Sequence, residues 1–188
     1  MHSSHMMSGT AAAAWLAVSA DVSVPVSLAG IAIGGLTALS PDLDHPGARG
    51  VRFLGPLGWV LCRALRWLSR LTTGVSHRGL THSLVFAVGI GCLTGGLASL
   101  ILTGENAVYL GVSGGLGVVA ALLGDLVTIA GLSHLLWPFG ARVSIPRWAR
   151  IKTGGLVEAL LVLPAVSAAT ALGVAAILGV SLGLVSHV

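Results

Sequence analysis

Six acidic residues and seven histidines are the chain's main stock of proton-transfer groups and metal ligands, and most of them fall in a few short segments. Asp42 and Asp44 lie in Leu39-Ser-Pro-Asp-Leu-Asp-His-Pro46, His77 and His82 in His77-Arg-Gly-Leu-Thr-His-Ser83, and Asp125 in Gly124-Asp-Leu-Val-Thr128, with His45, His134 and Glu158 nearby. Carboxylate oxygens and imidazole nitrogens together hold divalent ions, and an ion so held activates a bound water for attack on an ester or phosphoester. The Asp-x-Asp and His-x4-His pairs therefore predict a metal site with Asp42, Asp44, His77, His82 and Asp125 as ligands of one or two divalent ions, zinc first by ligand type. The structural alternative pairs the carboxylates with Arg49, Arg52 or Arg78 and leaves the histidines as interfacial hydrogen-bonding groups. Buried carboxylates are costly in either case unless paired or ligated, so the cluster needs an explanation.

Arg78 sits between the two histidines, where a guanidinium would grip two oxygens of a phosphate and offset its developing charge; an anchoring arginine ahead of a membrane helix is the competing reading. Thr81 is placed to cap the helix that follows. Thr128, three residues after Asp125, is placed to steady that carboxylate, and Glu158 to serve as general base or further ligand.

The elements that must position these residues read as membrane helices. Mean hydropathy is +0.96, only 9% of residues are charged, and apolar runs such as Ser83 to Thr103, Ala107 to Asp125 and Leu156 to Val185 punctuate the chain. At about 1.5 Å per residue such runs cross a hydrocarbon core of roughly 30 Å. The expected fold is an all-α polytopic membrane bundle of about five membrane helices plus an interfacial amphipathic helix, in one domain over 8–186. The pattern predicts a hairpin of short helices over 9–20 and 24–40, broken by Asp21 to Pro25, then spans over 82–103, 107–131 and 156–184. Residues 1–7 resemble a vector remnant or disordered start, so His2 and His5 are set aside. Between Pro46 and Ser76, Arg63, Arg66 and Arg70 recur at helical spacing beside Trp59, Leu61, Leu65 and Leu68, as in a helix lying among lipid headgroups.

All ten Lys and Arg residues fall within Arg49 to Arg78 and Arg142 to Lys152. Both stretches lie on the same side of the 82–131 hairpin, and the positive-inside rule places them in the cytoplasm with the candidate site. Cations beside apolar spans point to membrane lipid as the partner, with no nucleic acid. Cys62 and Cys92 lack metal or redox spacing.

The four segments quoted above, continued by Leu135-Leu-Trp-Pro-Phe139, occur in the order seen in the YdjM-like inner-membrane proteins, which this chain resembles over residues 8–165. The resemblance implies a metal-dependent hydrolase of the inner (cytoplasmic) membrane, distantly similar to zinc-dependent phospholipase C, and hence a phosphoester substrate. It also implies an amino-terminal Thr-His, where the chain reads Gly9-Thr-Ala-Ala12, and a histidine four residues before Asp125, where it reads Ala121. His134 is a substitute ligand to consider.

The sequence thus predicts a membrane-embedded, metal-dependent phosphoesterase acting on a phosphorylated lipid-linked substrate at the cytoplasmic interface, or an inactive form of one. The alternative is a non-catalytic scaffold or partner-binding protein that retains the fold. A transporter is disfavoured because the carboxylates lie near span ends rather than at the midplane.

Overall fold

The structure, a computed structural model, describes residues 2–20, 22–129, 131–139, 143, 145–152 and 154–179. Asp21, Arg142 and residues 180–184 of the expected final span lie outside them. Among the described residues seven α-helices follow one another: α1 (His2–Ser19), α2 (Val24–Thr37), α3 (Arg49–Phe53), α4 (Gly55–Thr73), α5 (Leu84–Ala98), α6 (Glu105–Leu126) and α7 (Leu163–Ile177). Short 3₁₀ turns, Ser40–Asp44 and Leu80–His82, follow α2 and precede α5, and a π-helical turn, Glu158–Val162, leads into α7. No strand occurs among the described residues, only two isolated bridges, Thr128 to Ile151 and Leu132 to Val143.

The expected break between α1 and α2 is present. Pro25 sits in the first turn of α2, where its missing N–H costs nothing and its fixed φ suits a helix start. Residues 2–7, set aside as a remnant or disordered start, instead form the opening turns of α1.

Five spans were expected; by length and composition three helical stretches suffice to cross a membrane, Val24–Asp44, Glu105–Leu126 and Glu158–Ile177. Two local causes account for the difference. The first turns of α1 carry His2, Ser3, Ser4, His5, Ser8 and Thr10, which dilute its apolar character. Helix α5 stops at Ala98 after 15 residues, about 22 Å at the usual rise.

Helices α1, α2 and α6 form the centre, with α7 against α1 on one side and α5 against α6 on the other. Small residues set these distances. A Cβ added at Gly111 of α6 would lie 2.9 Å from the Gly91 carbonyl oxygen and 3.0 Å from Gly95 Cα, both backbone atoms of α5. Such contacts replace the hydrophobic drive that is absent between helices in lipid. Two polar links add to them: Thr37 Oγ1 donates to the Gly114 carbonyl at 2.8 Å, and the Tyr109 hydroxyl to the Ser27 carbonyl at 3.2 Å.

The 46–76 segment is two helices rather than one, because Gly55 takes φ +57° and turns the chain between α3 and α4. Helix α4 buries Gly58 and Cys62 against α3 and Ser69 against the second 3₁₀ turn, where its hydroxyl accepts from the Leu80 N–H at 3.1 Å. Its far side exposes Leu57, Val60, Trp67 and Leu71, with Arg63 stacked over Trp59 at 5.3 Å. This is the amphipathic pattern of an interfacial helix.

Candidate functional site

The start of α1, the end of α2, the start of α5, the end of α6 and the turn before α7 meet at one end of the bundle, and the two 3₁₀ turns bring the candidate residues there. Asp44 closes the first turn and is fully buried. Its Oδ1 lies 2.6 Å from His77 Nδ1, and its Oδ2 accepts from Thr81 Oγ1 at 2.7 Å and from the Arg78 main-chain N–H at 3.1 Å. One carboxylate thus fixes the whole 77–82 segment. Arg78 has φ +56°, a left-handed conformation that costs an L residue about 1–3 kcal/mol, and its N–H bond to Asp44 helps offset that strain.

Three imidazoles run inward from the surface. The exposed His45 ring is 5.2 Å from that of His77, which is 5.7 Å from that of His82. His82 is fully buried, its Nδ1 3.1 Å from Thr81 Oγ1 and its Nε2 3.3 Å from Asp125 Oδ2. On the other oxygen of Asp125, His5 Nε2 stands at 3.5 Å and an Arg78 guanidinium nitrogen at 3.6 Å.

These separations are long for hydrogen bonds, and His82 Nε2 and Asp125 Oδ1 have no hydrogen-bond partner although both are buried. An orphaned buried polar atom costs about 1–3 kcal/mol, so two on neighbouring side chains of one cluster need a reason. Ligands about 2.0–2.1 Å from a tetrahedral zinc are separated from one another by about 3.3–3.4 Å, close to the spacing of both imidazoles from Asp125. The donor set and its orphaned atoms therefore fit a divalent cation. No three of the described His, Cys, Asp and Glu side chains already enclose a single cation position, because the two imidazoles flank opposite oxygens of Asp125.

Of the expected ligands, Asp44, His77, His82 and Asp125 are brought together, with Asp42 half-buried two residues before Asp44. Asp44 has both oxygens engaged and so acts through His77, Thr81 and Arg78. Several expected roles change. Thr81 does not cap α5; Ser83 does, accepting from the Phe86 N–H at 3.2 Å, while Thr81 binds Asp44. Thr128 does not touch the Asp125 carboxylate. Its hydroxyl donates to the Asp125 main-chain carbonyl at 2.7 Å, beside its own N–H at 3.1 Å, because the last carbonyls of a helix lack the usual donor four residues on. Glu158 is buried and accepts from the Gly154 N–H at 2.7 Å. A small cavity of about 40 Å³ lies between it, Ser4, His5 and Thr128, with Val127, Ile151 and Val162 completing the wall. His134 forms no ion pair with Asp125, and its buried Nδ1 has no hydrogen-bond partner.

The main correction concerns His5, which sequence reading set aside and which is only 4% exposed against Asp125. The family resemblance puts the amino-terminal histidine at Ala11, six residues or about 9 Å further along α1. A signal existed: His5, Gly9, Ala13 and Ala17 recur every four residues, and all four are buried in the helix contacts of α1. Ala121 is buried one turn before Asp125 and supplies no donor.

Comparison with known proteins agrees with the sequence resemblance. The profile of the YdjM inner membrane protein family matches residues 1–188, a range that includes His5, and the chain belongs to that family. No curated protein and no solved structure matches the chain.

Proposed function

We propose that this YdjM-family chain is a membrane-embedded metal-dependent hydrolase that cleaves a phosphoester, with a lipid-linked phosphate at the cytoplasmic face as its substrate. The observation that carries the reading is the buried row His5, Asp125, His82, whose nitrogens stand 3.3–3.5 Å from the carboxylate with two polar atoms left unpartnered. Helices α1 and α5 join the three longer stretches in a five-helix, multi-pass bundle. The arginine-bearing segments 49–78 and 147–152 share the site's end of that bundle, which the positive-inside rule assigns to the cytoplasm.

His5, Asp125 and His82 would hold the cation, with His77 and Asp42 completing its surroundings. When bound, a divalent ion supplies Lewis acidity and a water that ionises near neutral pH. The chain's own groups do the rest. Arg78, a quarter exposed beside Asp125, binds two phosphate oxygens and offsets charge as the phosphorus–oxygen ester bond breaks. Asp44 orients His77 through Nδ1, leaving Nε2 at the open side to return a proton to the departing alkoxide. Thr81 ties Asp44 to His82, so that imidazole and Arg78 are held as one unit. Glu158 and Thr128 support His5 and the end of α6 from behind.

A second reading, a scaffold that retains the fold without turnover, is favoured by Ala121, which supplies no donor one turn from Asp125. Turnover of a soluble phosphodiester by the purified protein in detergent separates the two. Zinc- or manganese-dependent release, abolished by chelator and by Asp125→Asn, supports the hydrolase. No release with zinc, manganese or magnesium supports the scaffold.

A further inference from the structure

We propose that the open groove between α5 and α6 binds the hydrocarbon chain of the lipid whose phosphate is held at Arg78. The groove has a volume of about 1040 Å³ and runs from Leu84 and Val119 to Thr103 and Gly104, almost the full length of both helices. This inference rests on the phosphoesterase reading for the head of the ligand and adds a site for its tail.

The groove follows from how α5 and α6 pack. Gly91 and Gly95 meet Gly111 and Gly115 at backbone distance, which draws the helix axes together and leaves little side chain beside the seam. The adjacent wall stays low: Gly96 has no atom within 4 Å of the position a Cβ would take, and Cys92 is exposed. Helix α5 packs chiefly on α6 and on the 3₁₀ turn before it, so this side of the hairpin faces outward.

Position and charge select the occupant. Leu84, at the groove's head, is two residues beyond His82, and Val119 is six residues before Asp125. At about 1.5 Å per residue Val119 lies about 9 Å below the Asp125 level, near the roughly 5–8 Å thickness of one headgroup layer. From Leu84 to Ser99 the groove follows α5 for about 22 Å, more than one leaflet of roughly 15 Å. A cationic guanidinium one headgroup layer above an apolar trough fits an amphiphile with a phosphate head and a long chain. A second copy of this chain would cover the trough without engaging the charge above its head.

Cys92 supplies the probe, since it lies in the groove wall whereas Cys62 is buried. The rate of Cys92 alkylation by N-ethylmaleimide is measured in phosphate-free maltoside micelles with hexadecyl phosphate, hexadecanol or inorganic phosphate. Hexadecyl phosphate is expected to slow alkylation at least fivefold more than hexadecanol, inorganic phosphate to leave it unchanged, and Arg78→Gln to remove the difference between the two amphiphiles. Gly96→Leu, which places a side chain in open space, is expected to weaken that protection without altering the melting transition. Equal protection by hexadecanol, or none by either amphiphile, overturns the proposal. Metal-dependent turnover of a soluble phosphodiester without Cys92 protection would reject the chain site and leave the hydrolase standing. Protection without turnover would reject the hydrolase and leave a phospholipid-binding groove.

Discussion

Thr81→Val replaces one buried hydroxyl by a methyl of similar size and removes the link between Asp44 and His82. Thr81 is fully buried; its Oγ1 donates to Asp44 Oδ2 at 2.7 Å and lies 3.1 Å from His82 Nδ1. A hydrogen bond to a charged group contributes about 1.5–3 kcal/mol, and the imidazole contact about 0.5–1.5 kcal/mol more. Burying the added methyl returns about 0.8 kcal/mol. The net expectation is a loss of about 2 kcal/mol, or about 4–8 °C in melting temperature for a chain of this size. Thr81→Ser keeps the hydroxyl and should recover most of that loss. Loosening His82 should also weaken zinc binding about 10–100-fold, the usual effect of removing a group that orients a ligand. Thermal unfolding in detergent, followed by helical circular dichroism, reads the first effect, and competition with a zinc chelator reads the second. A shift below 1 °C for Thr81→Val, or an equal shift for Thr81→Ser, would refute the assignment of Thr81 as the bridge.

Gly111→Ala should destabilise the protein by about 1–3 kcal/mol, because its Cβ would meet the α5 backbone at 2.9 Å, whereas Gly96→Ala should be neutral or stabilising by about 0.5–1 kcal/mol. Unfolding of the two variants side by side checks the pair, and a tolerated Gly111→Ala would mean the helices are not in backbone contact. Burial pushes the Cys62 thiol up from its ordinary range, so at pH 7 it should stay unmodified by maleimide while Cys92 reacts, with mass spectrometry of the alkylated peptides as the readout. For Ala11→His, zinc content should remain that of the parent, since Ala11 sits about 9 Å along α1 from His5.

What could be read in the sequence followed from local chemistry. The break before Pro25, the α5–α6 hairpin and the gathering of Asp44, His77, His82 and Asp125 at one end of the bundle were legible, because Pro and Gly punctuate helices and polar residues in apolar chains gather at helix ends. His5 was not legible by that logic. Its neighbours resemble a tag, and only the buried row His5, Gly9, Ala13, Ala17 marks the helix face that carries it to Asp125. Hydroxyl roles were misplaced for a related reason. Thr81 and Thr128 each have several partners within reach of a turn, and tertiary packing decided between them, bringing Asp44 to Thr81 and leaving Thr128 with a main-chain carbonyl. Span number was only partly legible: three helical stretches among the described residues are long and apolar enough to cross a membrane, and hydropathy alone does not reveal where α5 ends or how polar the first turns of α1 are.

Metal content of the purified protein and its His5→Ala and Asp125→Asn variants, by inductively coupled plasma mass spectrometry after zinc loading and desalting, tests the central claim most directly. The account predicts near-stoichiometric zinc in the parent and a several-fold reduction in each variant, with all three folded by circular dichroism. Zinc absent from the folded parent, or unchanged in both variants, would contradict a metal centre built on His5, Asp125 and His82.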